Sequence, residues 1–312
     1  MKESTTLESV IEKVHQVSAN HHDLSACIED MGFDSLKRMW IAGQQVEILP
    51  SAQRLFANRL RIPYSYLHRC PSWLQAESLN HFLTVEQKKR DTLYCRFDGN
   101  KLRAVFTERF TPIDNLDCLS KMLEYGFDPE AEVHCSLDPE MMVVNVPDND
   151  RLFQLSEKDK IVPGISIANS EVGVLALTIQ AYALRLVCTN GMIAKTAVDA
   201  RYKHISRRVM DEFPLVLGNV VSQSSHFQNR FQISVQTPVD NPESTIDTFS
   251  RQFQIPQMQT EIVKQAFYLE QGATMFHIIQ AFTRAAQDIS LSAADSYRME
   301  KAGGTILSMV KS

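Results

Sequence analysis

The chain has 312 residues, 44% of them apolar and 22% charged, and a net charge of −5; this balance excludes disorder over most of its length and allows one large domain or two of medium size. The longest apolar stretch, residues 172–188, is interrupted by Gln180 and Arg185, so no segment reaches the ~20 unbroken apolar residues of a membrane span. The first residues, MKESTTLE, lack a basic start, an apolar core and a cleavage site, which makes the cytoplasm the expected compartment.

Leu7, Val10, Ile11, Val14 and Val17 recur at three- and four-residue steps, predicting a short amphipathic helix over 7–17, read as an arm for self-association. A polar break follows at 18–23. Ser51 is a good N-cap for a helix that carries Leu55, Phe56 and Leu60 and ends before Pro63. Another begins near Pro71 and presents Trp73, Leu74, Leu79 and Leu83. Residues 92–97 and 102–106 alternate around Asp98-Gly99, a hairpin signal, with Arg96 and Arg103 at outward positions. A helix from about Asp114 has Leu116, Leu119, Met122 and Leu123 inward and Gly126 as its left-handed stop. Residues 133–137 and 141–146 read as a second hairpin through Asp138-Pro139.

After a polar, acidic connection at 147–163, strands are expected over 165–168, 174–179 and 184–188. Beyond Met192 the pattern turns helical. A basic helix starts near Ala194, and a second is entered at Pro214 with Leu215, Val216, Val220, Phe227, Phe231 and Val235 as its stripe. Asn241-Pro242 caps a third, and three more fit 257–270, 274–288 and 292–310. The fold class is α+β: a mixed or antiparallel sheet core with flanking helices and an all-helical C-terminal region. The expected organisation is a helical arm over 1–45, an α+β core over 46–238 and a helical region over 239–312.

Charge is segmented. Residues 51–109 hold eleven Lys and Arg against five Asp and Glu, residues 110–165 four against twelve, and residues 185–208 six against one. Basic blocks in an acidic chain point to a confined phosphate-binding surface rather than indiscriminate polyanion binding. On the helix expected from Ala194, Lys203 and Arg207 share a face and Arg208 lies near His204. With Arg185, Lys195 and Arg201 they would grip phosphates while Tyr202 stacks on a base; the competing reading is a solvated face paired with the acidic segment.

Asn190-Gly191 is either a plain turn or a backbone nest that receives a phosphate oxygen ahead of a helix. Asn169-Ser170-Glu171 with Gly173 is a tight loop, or one that offers Glu171 as a metal or base contact. A second basic set, Arg54, Arg59, Arg61, Arg69, Lys88, Lys89, Arg90, Arg96 and Arg103, is interleaved with Tyr64 and Tyr66. Single-strand binders have this composition; the alternative is half-buried tyrosines with arginines snorkelling over a sheet edge.

Walker A, G-x-G-x-x-G and H-E-x-x-H patterns are missing. The cysteines, Cys27, Cys70, Cys95, Cys118, Cys135 and Cys188, contain no C-x-x-C pair and read as reduced, mostly buried thiols. Cys188 with His204 and Asn190 lacks the third group that nucleophilic catalysis needs, and His21-His22-Asp23 reads as a loop rather than a metal site. No catalytic residue, metal or cofactor is expected.

Residues 60–71 (LRIPYSYLHRCP), 102–115 (LRAVFTERFTPIDN), 185–191 (RLVCTNG), 202–204 (YKH), 281–284 (AFTR) and 300–303 (EKAG) together resemble the phage/plasmid-like proteins catalogued as domain of unknown function 932. Order and spacing hold from about residue 45 to the C-terminus. The resemblance implies a prokaryotic, often mobile-element, origin and carries no established reaction. With the basic blocks it leads to the expected function: binding of nucleic acid, single-stranded DNA above all, in recombination or maintenance, as a homo-oligomer and without covalent chemistry. Two alternatives come from other classes. One is an interaction protein that counters a host defence or regulatory factor through acidic residues 110–165; the other is a hydrolase or nucleotide-modifying enzyme centred on Glu171, Cys188 and His204.

Overall fold

Period-two alternation between turn residues produces most of the strands, and apolar stripes at three- and four-residue steps produce the helices. The computed structural model describes residues 3–156, 159–186, 190–194, 200–202, 211–212, 215–216, 218–220 and 227–310. The first half comprises β1 (Glu3–Thr6), α1 (Leu7–Ser18), β2 (His21–Cys27), β3 (Met31–Ser35), β4 (Arg38–Ile41), β5 (Gln44–Ile48), α2 (Pro50–Leu60), α3 (Tyr64–Arg69), α4 (Ser72–Gln87), β6 (Thr92–Asp98), β7 (Lys101–Phe106) and α5 (Asn115–Tyr125). There follow β8 (Glu132–Leu137), β9 (Met142–Pro147), β10 (Phe153–Gln154), β11 (Lys160–Asn169), β12 (Leu177–Arg185), β13 (Asn190–Ala194) and β14 (Ala200–Tyr202). The tail holds α6 (Phe227–Gln236), α7 (Pro242–Gln252), α8 (Gln257–Tyr268), α9 (Met275–Ala285) and α10 (Ala293–Met309).

Among the described residues the strands form two sheets. The larger, of eight strands, has the order β1-β8-β9-β11-β12-β13, with β10 on β11 and β14 on β12. The smaller, of six strands, runs β2-β6-β7-β5-β4-β3 and is mixed, because β5 pairs in parallel with β7. The fold is therefore α+β with an all-helical C-terminal region, and both expected hairpins form. The expected arm over 1–45 does not exist. Leu7, Val10 and Val14 bury their side chains in the large sheet's core, and β2, β3 and β4 belong to the small sheet. Burying each such side chain is worth roughly 1.5–3 kcal/mol, so most of the stripe assigned to self-association serves the interior, while Val17 stays half-exposed.

Two local expectations also change. Pro50 opens α2 with Leu49 as its cap, and the Ser51 hydroxyl donates to the Arg103 carbonyl at 2.6 Å. Where the helix expected from Ala194 falls on described residues, Ala194 and Ala200–Tyr202, they are strand, in β13 and β14, which both pair with β12. The outer edge of β12 would otherwise leave backbone N–H and C=O groups unpaired, a demand that outweighs local helical periodicity. Strand β12 itself runs unbroken to Arg185, absorbing the start of the strand expected over 184–188.

One face of the large sheet is apolar, with Val133, Val144, Ile165, Ile167, Leu177 and Ile179 packed against α1, α5 and the tail helices. The other carries a polar row in register: Ser4, His134, Asn145, Ser166 and Gln180 lie side by side across β1, β8, β9, β11 and β12. Tyr297 of α10 donates to Gln180 Oε1 at 2.7 Å. Ser166 is 2% exposed, yet its hydroxyl makes no hydrogen bond.

Candidate nucleic-acid interface

Strands β6 and β7 turn Arg96 and Arg103 toward the large sheet instead of outward. Arg96, 3% exposed, donates through Nε to Asp23 at 2.9 Å, through Nη2 to Asp114 at 2.5 Å and through Nη1 to the Glu171 carbonyl at 3.2 Å. Arg103 donates through Nη2 to Glu171 Oε2 at 2.7 Å. Arg185, at the end of β12, reaches Asp159 at 2.6 Å and Glu270 at 2.5 Å and lies over the Phe276 ring. None of the three is presented on an open surface. A guanidinium leaves water only where carboxylates offset the loss of hydration, and here those carboxylates come from distant parts of the chain. Burial works to raise the Asp159 and Glu171 carboxyls. Hydrogen bonds outweigh it, from Ser156 and Arg185 in the first case and from the Asn115 amide and Arg103 in the second, and hold both below the ordinary carboxylate range.

Asn190 and Gly191 pair with Arg185 and Leu184 inside the β12–β13 ladder, so the expected turn or phosphate nest is strand. Arg201 and Tyr202 stand in β14 opposite Thr178 and Leu177. Lys195, Lys203, His204, Arg207 and Arg208 lie outside the described residues, as does Cys188. Residues 170–173 form the tight loop, with Gly173 in the left-handed region. Both Glu171 carboxylate oxygens are engaged there, Oε1 by the Asn115 N–H at 2.8 Å and Oε2 by Arg103. The stretch His21-His22-Asp23 is strand β2 rather than loop; Asp23 holds Arg96, and His22 stacks on Phe97.

Part of the second basic set, Arg59, Arg61, Lys89 and Arg90, gathers at the C-terminal ends of α2 and α4. Three cations surround the carboxylate of buried Glu86: Arg90 at 2.8 Å, Lys89 at 3.3 Å and Arg59 at 3.7 Å. Arg59, Arg61, Lys89 and Arg90 line one depression with Leu55 and Asn58. Lys89 and Arg90 continue into a second, of about 710 Å³, which adds Asp91, Glu108 and Arg109. Phe82, 40% exposed, sits one turn before Glu86 on α4. Tyr66 and Trp73 add exposed rings on α3 and α4. Tyr64, by contrast, is half-buried and bonded to Gln53, and Arg54 pairs with Glu140. Glu86, Phe82 and Arg109 were not singled out in the sequence. The three- and four-residue steps from Glu86 to Lys89 and Arg90 are the signal that marks the anchor.

Among the described residues, fold and surface define an α+β protein of two sheets, with a helical C-terminal region and a basic rim at the ends of α2 and α4. Residues 103–312 match the family model described as domain of unknown function (DUF932), and the chain belongs to that family. The match begins within β7, so residues 60–71 and most of the rim precede it. No curated protein and no solved structure matches the chain. Among the described residues no helix is long and apolar enough to cross a membrane.

Proposed function

We propose that the chain binds nucleic acid, single-stranded DNA above all, through the basic rim at the ends of α2 and α4, and that it does no covalent chemistry there. The observation that carries this reading is the convergence of Arg59, Arg61, Lys89, Arg90 and Arg109 along two adjoining depressions. Phosphates are drawn to clustered cations whatever the sequence, and an exposed ring such as Phe82 gains from stacking only on bases that are free of a duplex. A surface that offers clustered cations beside an exposed ring fits strand protection or annealing. The likeness to phage/plasmid-like proteins supports a setting in the recombination or maintenance of a mobile element, by association alone.

The test is fluorescence anisotropy of labelled single-stranded and duplex DNA across a salt series. Binding is expected at low salt, tighter for the single strand, with a logarithmic salt slope of about −0.7 per phosphate contacted. The variant Lys88→Glu/Lys89→Glu/Arg109→Glu should lose it, while Lys203→Ala/Arg207→Ala/Arg208→Ala should keep it. No binding at low salt overturns the reading, and equal binding by the rim variant overturns the surface. Light scattering on the same samples reports whether copies assemble along the strand.

A further inference from the structure

A cleft of about 400 Å³ lies between α1, the β6–β7 hairpin and the β8–β9 turn, apart from the basic rim. Its apolar wall includes Val14, Val17 and Met141, and its polar wall His21, Lys101, Arg103 and Glu171. A second cavity of about 290 Å³ meets it at Ser18, His21 and Glu171. Pockets of this size, at the junction of two substructures and with a few converging polar groups, are where small molecules bind.

Arg103 sets the chemistry. It is the extra residue of a bulge in β7, since Leu102 pairs with Phe97 and Ala104 with Arg96, and bulges re-aim a side chain out of the regular alternation. Its Nη2 is committed to Glu171, but its Nη1 has no hydrogen-bond partner although the residue is 7% exposed. Glu171 does not fill that gap, because its other oxygen accepts the Asn115 N–H; it fixes the guanidinium plane instead. A buried guanidinium N–H left unmatched is unfavourable, and its natural complement is the planar or tetrahedral oxygen set of a carboxylate or phosphate.

The other charges around the cleft do not oppose an anion strongly. The Glu140 carboxylate pairs with Arg54, and that of Asp138 accepts the backbone N–H groups of Glu140, Met141 and Ala293. Lys101 is exposed along the same lining, with Asp98 the carboxylate facing it from the hairpin. Burial, and then the charge of Arg103, lower the His21 pKa below the ordinary histidine range, so its ring offers hydrogen bonds rather than charge.

We propose that this cleft binds a small organic anion, whose carboxylate or phosphate accepts from Arg103 and whose apolar or aromatic body rests on Val14, Val17 and Met141. The site is independent of the rim. Isothermal titration of the full chain with phenyl phosphate, benzoate and inorganic phosphate tests it. Saturable binding is expected with at least one aromatic probe, tighter than with inorganic phosphate, and the aromatic probe that binds tells phosphate from carboxylate. Val17→Trp, which fills the cleft from a half-exposed position, and Lys101→Glu, at an exposed one, should each weaken it at least about tenfold. Lys88→Glu/Lys89→Glu/Arg109→Glu should leave it unchanged, and circular dichroism melts confirm that each variant is folded. No saturable heat from either aromatic probe, wild-type affinity in Lys101→Glu, or loss in the rim variant alone overturns the site.

Discussion

Arg103 Nη2 and Glu171 Oε2 meet at 2.7 Å across 68 positions of sequence, and this bond ties the β6–β7 hairpin of the small sheet to the β11–β12 turn of the large one. The Asn115 amide joins α5 to the same carboxylate, and Arg96 reaches the Glu171 carbonyl beside it. One loop residue thereby holds both sheets and a helix N-terminus.

Glu171→Ala should accordingly lower stability by about 3–5 kcal/mol, the usual cost of leaving a buried partner charge uncompensated. Urea unfolding measures it, and Glu171→Gln, which keeps an acceptor for the Asn115 amide, should fall between. A midpoint unchanged in Glu171→Ala would show that the pair does not hold the sheets together.

Acid should destabilise the protein in two stages. The folded-state pKa values of His21 and His277 lie below the ordinary histidine value, with burial the largest cause in each. The unfolded chain then takes up protons first, and stability is lost as pH falls from about 7 toward 5. Glu171 is depressed against its own burial by the Asn115 amide and Arg103; its contribution is complete above the ordinary carboxylate range and is lost as pH falls through that range to the folded value. Urea midpoints across pH should show both stages, with the first reduced in His21→Gln and the second in Glu171→Gln.

The polar row across the large sheet should tolerate one apolar change. The Ser166 hydroxyl is buried and unbonded, so Ser166→Ala removes an unsatisfied group and should raise stability by about 1 kcal/mol. A loss of similar size in thermal melts would mean that the hydroxyl has a partner in solution, such as an ordered water.

At Gly173 the backbone has φ +79, and a Cβ would come within 2.9 Å of the Phe106 ring, itself stacked on Phe110. Gly173→Ala meets both left-handed strain and that ring, and should cost about 1–3 kcal/mol. Denaturant unfolding decides this, with an unchanged midpoint counting against it.

Phe82→Ala should leave the fold intact, because the ring is 40% exposed and belongs to no buried core cluster. It should weaken single-stranded DNA binding by about 1–3 kcal/mol while duplex binding changes little. Equal losses for both substrates would assign the contact to phosphate attraction instead of stacking.

Much of the local structure was legible in the sequence alone. Asp98-Gly99 between alternating runs marks the β6–β7 hairpin, Gly126 ends α5 in a left-handed conformation, and Asn241 caps α7 through a bond to the Ser244 amide. Such features depend on residues within a few positions of one another. The tertiary structure alone decided which cations stay open to solvent. Arg96 and Arg103 occupy positions that alternation alone places outward, but Asp23, Asp114 and Glu171 fold onto them from elsewhere in the chain. Residues 190–194 and 200–202 became strands for the same reason, since their hydrogen-bonding partner is the edge of β12. The spacing of charges within one segment cannot specify which distant carboxylate will neutralise an arginine or which strand edge will take up a backbone.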